Sequence, residues 1–185
     1  EVRLNGIPIH EASAESRQRS VRMAPQDGFL FDTTIRENIR FGRPDATDVD
    51  IDRAFDVLDL TWWIQKLPGG LDAKVGERGD SLSVGERQLV ALVRAALADP
   101  GLLILDEATS AVDPETDQAL TTAMRKLAEG RTLVSIAHRL ATAEAADLVM
   151  VFAAGDLVEM GPHAELVEMG GRYADLHAAW IGNTR

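Results

Sequence analysis

Several polar residues in this chain stand where they could handle a phosphate, a metal ion and a water molecule. Leu102-Leu103-Ile104-Leu105 runs into Asp106-Glu107, Thr132-Leu133-Val134-Ser135-Ile136-Ala137 into His138, and Val21-Arg22-Met23-Ala24 into Pro25-Gln26. Mg²⁺ takes hard oxygen ligands and keeps several waters, so one carboxylate such as Asp106 can hold it. The adjacent Glu107 can orient or deprotonate an attacking water. The same pair also suits a plainer role, ending a strand and opening a turn. His138 can donate a hydrogen bond to a phosphate or serve a structural purpose, and Gln26 can belong simply to a turn. Ser83-Val84-Gly85-Glu86 opens an apolar stripe and reads as a capping box, worth about 1 kcal/mol to a helix. A helix N-terminus with a glycine and free N–H groups is also an anion site suited to a γ-phosphate. Both readings of this segment hold at once.

The elements that must position these groups follow from the apolar pattern. Continuous apolar runs of this length suit strands buried on both faces of a parallel sheet, and open α/β sheets bind ligands beyond their strands' carboxyl ends. Gln26, Asp106, Glu107 and His138 are therefore expected at one edge of one sheet. Asp113-Pro114 reads as N-cap and first helical residue, followed by Ala119, Leu120, Ala123, Met124 and Leu127 on one face, with Gly130 closing the helix. Leu89, Leu92, Val93, Ala96 and Leu97 form a second stripe that stops before Asp99-Pro100-Gly101. Strand alternating with helix indicates an α/β domain.

From Phe31 to Ala98 no strand is evident; an amphipathic stretch (Val49, Ala54, Phe55, Leu58) and the loop Leu67-Pro68-Gly69-Gly70 mark a helical lobe. Trp62-Trp63 are expected to pack in that lobe or against a partner. Leu148 to Phe152 and Leu157 to Met160 resemble two strands around a turn, and the chain is expected to be helical after Gly161-Pro162. His10, His163 and His177 have no companions at metal-ligand spacing and are read as ordinary residues.

Composition narrows the function classes. A net charge of -11, with Lys66, Lys74 and Lys126 scattered, argues against a nucleic-acid-binding surface. The absence of Cys excludes disulfides and thiolate zinc sites and fits a reducing cytosol. No run approaches the roughly 18 apolar residues of a membrane span, and no signal peptide opens the chain. A membrane role would come through a partner or another segment.

In order, these pieces resemble the ATP-binding domain of ABC exporters. Ala24-Pro25-Gln26-Asp27 resembles the Q-loop, Val75-Gly76-Glu77-Arg78-Gly79 the X-loop, and Leu82-Ser83-Val84-Gly85-Glu86-Arg87-Gln88 the LSGGQ signature. Leu103 to Ser110 is similar to Walker B, Ser110-Ala111-Val112-Asp113 to the D-loop, and Ile136-Ala137-His138-Arg139-Leu140 to the H-loop. Gly28 to Ile39 looks like the exporter segment that sits beneath transmembrane coupling helices. Val84 replaces the first signature glycine, and Glu86 replaces its Gln. The added negative charge is one that pairing with Arg87 or Arg78 would soften.

No G-x-x-x-x-G-K-[ST] occurs. The resemblance places that P-loop upstream of Glu1 to Gly6, so the chain is expected to lack a phosphate cradle and a central strand, and to be inactive alone. It implies a P-loop NTPase (RecA-like) α/β fold with a parallel-sheet core, incomplete at the N-terminus, formed by residues 1–30 and 99–162. An inserted ABC helical subdomain would span 31–98 and a C-terminal helical segment 163–185.

The resemblance further implies ATP and Mg²⁺ as ligands, with Asp106 and Gln26 at the metal and Glu107 and His138 catalytic. Ser83, Val84, Gly85 and Glu86 would face the nucleotide of a second ABC ATPase domain, in a homo- or heterodimer with Asp113 at its interface. The partner in the membrane would be a transmembrane domain, fused upstream, which places the domain at the cytoplasmic face. The alternatives are a separate ATPase subunit or soluble family member, or a truncated form that dimerises without hydrolysing ATP.

Overall fold

The computed structural model describes residues 1–24, 28–106, 113–137 and 140–183. The chain divides into two units, Glu1–Ile136 and Ala137–Arg185, which are taken in turn. The first opens with a hairpin of β1 (Arg3–Leu4) and β2 (Ile7–Pro8). Its turn is Asn5-Gly6, both at positive φ, the backbone that a two-residue hairpin turn demands. The short helix α1 (Ala14–Ser20), capped by Ser13, leads into β3 (Val21–Ala24).

Four helices follow: α2 (Ile35–Arg40), α3 (Asp48–Leu58), α4 (Thr61–Lys66) and α5 (Val84–Ala98). Their starts are chemically explicit. Thr34 caps α2, and capping boxes of Thr47 with Asp50 and Ser83 with Glu86 open α3 and α5. Asp59 and Asp99, both in the left-handed region, end α3 and α5. Beyond α5 come β4 (Leu102–Asp106), α6 (Pro114–Ala128) and β5 (Thr132–Ile136).

The three apolar runs pair as a parallel sheet in the order β3-β4-β5, with Ala24 beside Leu105 and Asp106 beside Ile136. Consecutive residues of a strand point to opposite faces, and here the faces differ sharply. Ala24, Leu103 and Leu105 are buried in the same core as Leu89, Val93, Leu120 and Leu127. On the opposite face Met23, Val134 and Ile136 are exposed at 56%, 37% and 50%. Parallel strands normally bury both faces, so this sheet is covered on one side only by the described residues of the chain.

The core continues without interruption from the sheet into the helices through Ile35, Ile39, Ile51, Phe55, Leu58 and Trp63. Trp63 is buried against Phe55 (ring centroids 6.3 Å apart), and Lys66 lies over the Trp62 ring at 4.5 Å. Within this apolar region sits one fully buried amide, Asn38. It donates to the carbonyls of Phe31 and Thr34 (3.0 Å each) and accepts from the Phe31 N–H (2.9 Å). Arg94 of α5 reaches the Asn38 carbonyl (2.8 Å), its Oδ1 (3.2 Å) and the Phe29 carbonyl (3.2 Å). Burial pushes the Arg94 guanidinium below its usual value, though arginine keeps its charge in proteins.

The second unit holds α7 (Leu140–Glu144), the antiparallel pair β6 (Val149–Ala153) and β7 (Asp156–Gly161), then α8 (His163–Met169) and α9 (Arg172–Asn183). Ala143, Val151, Leu166 and Tyr173 form its own small core.

Replacing Asn38 with Ala would take the amide oxygen away from the Phe31 N–H and from one Arg94 guanidinium nitrogen, and leave a polar void at a fully buried position. The expected loss is about 2 kcal/mol or more, read as a lowered urea midpoint. Val57→Ala, at an exposed position of α3, should leave the midpoint almost unchanged.

Candidate functional site

The start of α5 is held from several sides. Ser83 Oγ accepts the Glu86 N–H (3.2 Å), while Glu86 Oε2 accepts the Ser83 N–H (2.8 Å). The other carboxylate oxygen meets the Trp63 indole N–H at 3.4 Å. The extra charge of Glu86 is thus drawn onto two N–H donors of the protein. Arg87, one candidate to soften it, instead donates to the carbonyls of Leu82 (2.7 Å) and Gly79 (3.4 Å). Val84 and Gly85 occupy the first turn, where no preceding helical carbonyl takes their N–H groups. Ser83 and Val84 are exposed and Gly85 is buried.

Two separate segments close on this helix. Gly28, at φ 46°, packs so tightly that a Cβ there would lie 3.0 Å from the Arg87 carbonyl oxygen. Gly79, at φ 80°, would place a Cβ 2.8 Å from Arg87 Cδ. The stretch around Thr34 also pairs with the one leading into the 75–79 turn: Ile35 N–H donates to the Ala73 carbonyl, and Val75 N–H to that of Thr33 (3.0 Å each). Residues 28–41, 75–79 and 82–88 therefore form one cluster, pinned by Arg87 and Arg94 on α5. Its surface carries three aromatic rings, Phe29 and Phe31 edge-to-face at 5.1 Å and Phe31 and Phe41 at 4.4 Å, each about half exposed.

The sheet brings the ends of its strands side by side. Asp106 closes β4, partly exposed, and offers the hard oxygen donor that suits Mg²⁺. The expected site residues Gln26, Glu107 and His138 lie outside the described residues. Asp113 caps α6, its carboxylate accepting the Thr116 N–H at 3.0 Å, with Pro114 as the first helical residue. Hydrogen bonds from the Thr116 backbone and hydroxyl hold the Asp113 carboxyl below the usual range.

A family model described as "ABC transporter" matches residues 1–110. The chain belongs to the ABC transporter family. It is 43% identical to "Uncharacterized ABC transporter ATP-binding protein YknV" of Bacillus subtilis, over 95% of this chain and 29% of that protein. It is equally identical to the "Fatty acid ABC transporter ATP-binding/permease protein" of Mycobacterium bovis, over 82% of this chain and 24% of that one. Among solved structures, a bacterial Atm1-family ABC exporter with ATP bound superposes with a TM-score of 0.85 at 39% identity, covering 95% of this chain and 31% of the exporter chain. The fold is accordingly that of the P-loop NTPases. The chain spans less than a third of the length of these relatives.

Two features escaped the sequence reading. The Asn38–Arg94 network had no spacing signature, because both residues work through backbone carbonyls of other segments. His163 and His177, read as lacking companions, lie together with Glu144. Residues 33 and 14 positions apart in sequence meet only through the fold of the second unit.

Ser83→Ala should cost about 1 kcal/mol by removing the α5 cap, measured as a fall in denaturation midpoint. The Asp113 cap should be pH-dependent. Because its folded value is depressed, its stabilisation is complete above the ordinary carboxylate value of about 3.9 and fades as pH falls through the lower folded value. Wild type should therefore lose more thermal stability below about pH 4 than Asp113→Asn, whose cap does not titrate.

Proposed function

We propose that this chain is part of the ATP-binding and ATP-hydrolysing domain of an ABC exporter, working at the cytoplasmic face of a membrane. The observation that carries this reading is the cluster of residues 28–41, 75–79 and 82–88 on α5. It joins the signature-like helix start to an aromatic surface. The likeness to an ATP-bound exporter supports it.

In this reading Asp106 holds Mg²⁺ through water, and Gln26 senses metal or water. Bound Mg²⁺ supplies neutralisation of the charge on the β- and γ-phosphates. Glu107 orients and deprotonates the attacking water, and His138 donates to the γ-phosphate. The Ser83 hydroxyl and the N–H groups of Val84 and Gly85 receive the nucleotide of a second ATPase domain, with Glu86 held back by its bonds to Ser83 and Trp63. Asp113 organises that dimer interface.

Residues 1–30 and 99–162 form the sheet core, 31–98 the helical subdomain and 163–185 the C-terminal segment. Phe29, Phe31 and Phe41 receive the transmembrane domain, since exposed aromatic clusters mark interaction sites. The bare sheet face of Met23, Val134 and Ile136 is covered by the P-loop-bearing segment of the complete protein.

In the complete protein, Glu107→Gln should lower steady-state ATP hydrolysis about 100-fold or more while ATP binding persists. A near-normal rate would overturn its catalytic role, and an unchanged rate in His138→Ala would do the same for His138. Ser83→Asp separates two functions of one residue. Asp caps helices as well as Ser, so the melting temperature should hold. Hydrolysis should nevertheless drop about tenfold or more, because a carboxylate then faces a phosphate.

A further inference from the structure

The second unit gathers titratable side chains that the ATPase reading leaves unused. Glu144 ends α7, His163 begins α8 and His177 lies in the middle of α9. One ligand atom from each falls within 4.8 Å of the other two. His177 Nε2 is already 3.3 Å from a Glu144 carboxylate oxygen, and the His163 and His177 ring centroids are 5.1 Å apart. Tetrahedral Zn²⁺ with bonds of about 2.0–2.1 Å sets its ligand atoms about 3.3–3.5 Å apart, so the three need to draw in by little more than an ångström.

The surroundings hold these ligands in place. His163 Nδ1 is 2.8 Å from the hydroxyl of Tyr173, a residue buried in the unit's core, and Tyr173 stacks on His177. Burial, then the nearby Glu144 charge, push the Tyr173 hydroxyl up, so it stays neutral. Tyr173 is itself positioned from the sheet: Glu159 of β7 accepts the N–H groups of Arg172 (2.6 Å) and Tyr173 (2.9 Å) at the start of α9. An imidazole oriented by a hydrogen bond through its other nitrogen is the usual support of a metal-binding histidine. Access is open on one side, with the Glu144 side chain 43% exposed and that of His177 15%.

We propose that Glu144, His163 and His177 form a binding site for a divalent ion of the Zn²⁺ class, held by two imidazoles and one carboxylate and completed by water. Imidazoles select the borderline ions Zn²⁺, Ni²⁺ and Co²⁺ over Mg²⁺ and Ca²⁺, which want oxygen cages, so the site is chemically distinct from a nucleotide's Mg²⁺. The ion ties α7, α8 and α9 together at one point. It stabilises the C-terminal unit by its binding free energy.

The test uses the full-length protein, stripped with a chelator and kept in Mg²⁺ buffer, titrated with Co²⁺ as a visible probe and then with Zn²⁺. Wild type should develop tetrahedral Co²⁺ bands at one equivalent per chain above the background of an E144Q/H177Q double variant, and Zn²⁺ should displace them. Each single variant, Glu144→Gln or His177→Gln, should weaken binding at least tenfold. Zn²⁺ should raise the melting temperature of wild type but not of the double variant. Equal uptake by wild type and the double variant overturns the site. If the variants fold poorly, zinc-edge X-ray absorption on the wild type decides instead. Two imidazoles in the first coordination shell support the proposal, and a shell without imidazole overturns it.

Discussion

Arg94 leaves water to reach two backbone carbonyls and a buried amide, and the arrangement around α5 depends on its doing so. Burying a guanidinium is costly unless its donors are satisfied. Here Asn38 and the carbonyl of Phe29 satisfy it. The Asn38 amide, at zero exposure, places its nitrogen on the carbonyls of Phe31 and Thr34 and shares its oxygen between the Phe31 N–H and Arg94. Arg94 is satisfied only when α2, α5 and the loop at Phe29 are in register. Arg87, about two helical turns earlier on α5, repeats the device with the carbonyls of Gly79 and Leu82. One helix therefore holds α2, the Phe29 loop and the 79–82 turn through their main chains.

The same helix carries a chemical compromise at its first turn. Ser83 and Glu86 are spent on each other's N–H groups, which stiffens the turn and leaves the donors of Val84 and Gly85 aligned. A glutamate where the family pattern has Gln would repel a phosphate if its charge were free. Trp63, from the neighbouring α4, gives the carboxylate a second donor and keeps it turned toward the lobe. The departure from the pattern is thus absorbed by a neighbour that sequence spacing alone does not connect to it.

Much of the fold was legible because its signals are local. The runs at 21–24, 102–105 and 132–136 are short, apolar and bounded by polar residues, and they pair as parallel strands. Pro114 after Asp113, and Ser83 three residues before Glu86, announce helix starts by cap chemistry that needs no tertiary information. Helix α1 was missed because it buries none of its residues and so shows no stripe. The β1–β2 hairpin was missed although Asn5-Gly6 is a strong turn signal, its strands being only two residues each. The Glu144–His163–His177 cluster was invisible for a different reason: its members share no element, and only the packing of α7, α8 and α9, with Tyr173 of α9 bonded to His163, brings them together. Asp106 ends β4 and Asp113 caps α6, where strand and cap logic put them.

Arg94 and Asn38 hold the 29–38 stretch almost entirely by its carbonyl and N–H groups rather than by its side chains. Main-chain groups are the same whatever residue carries them. The rings of Phe29 and Phe31 can therefore be exchanged for other side chains without removing the main-chain bonds that hold the stretch. Frame and face are separable: point substitutions can change the exposed rings while α5 and the main-chain bonds it makes stay unaltered.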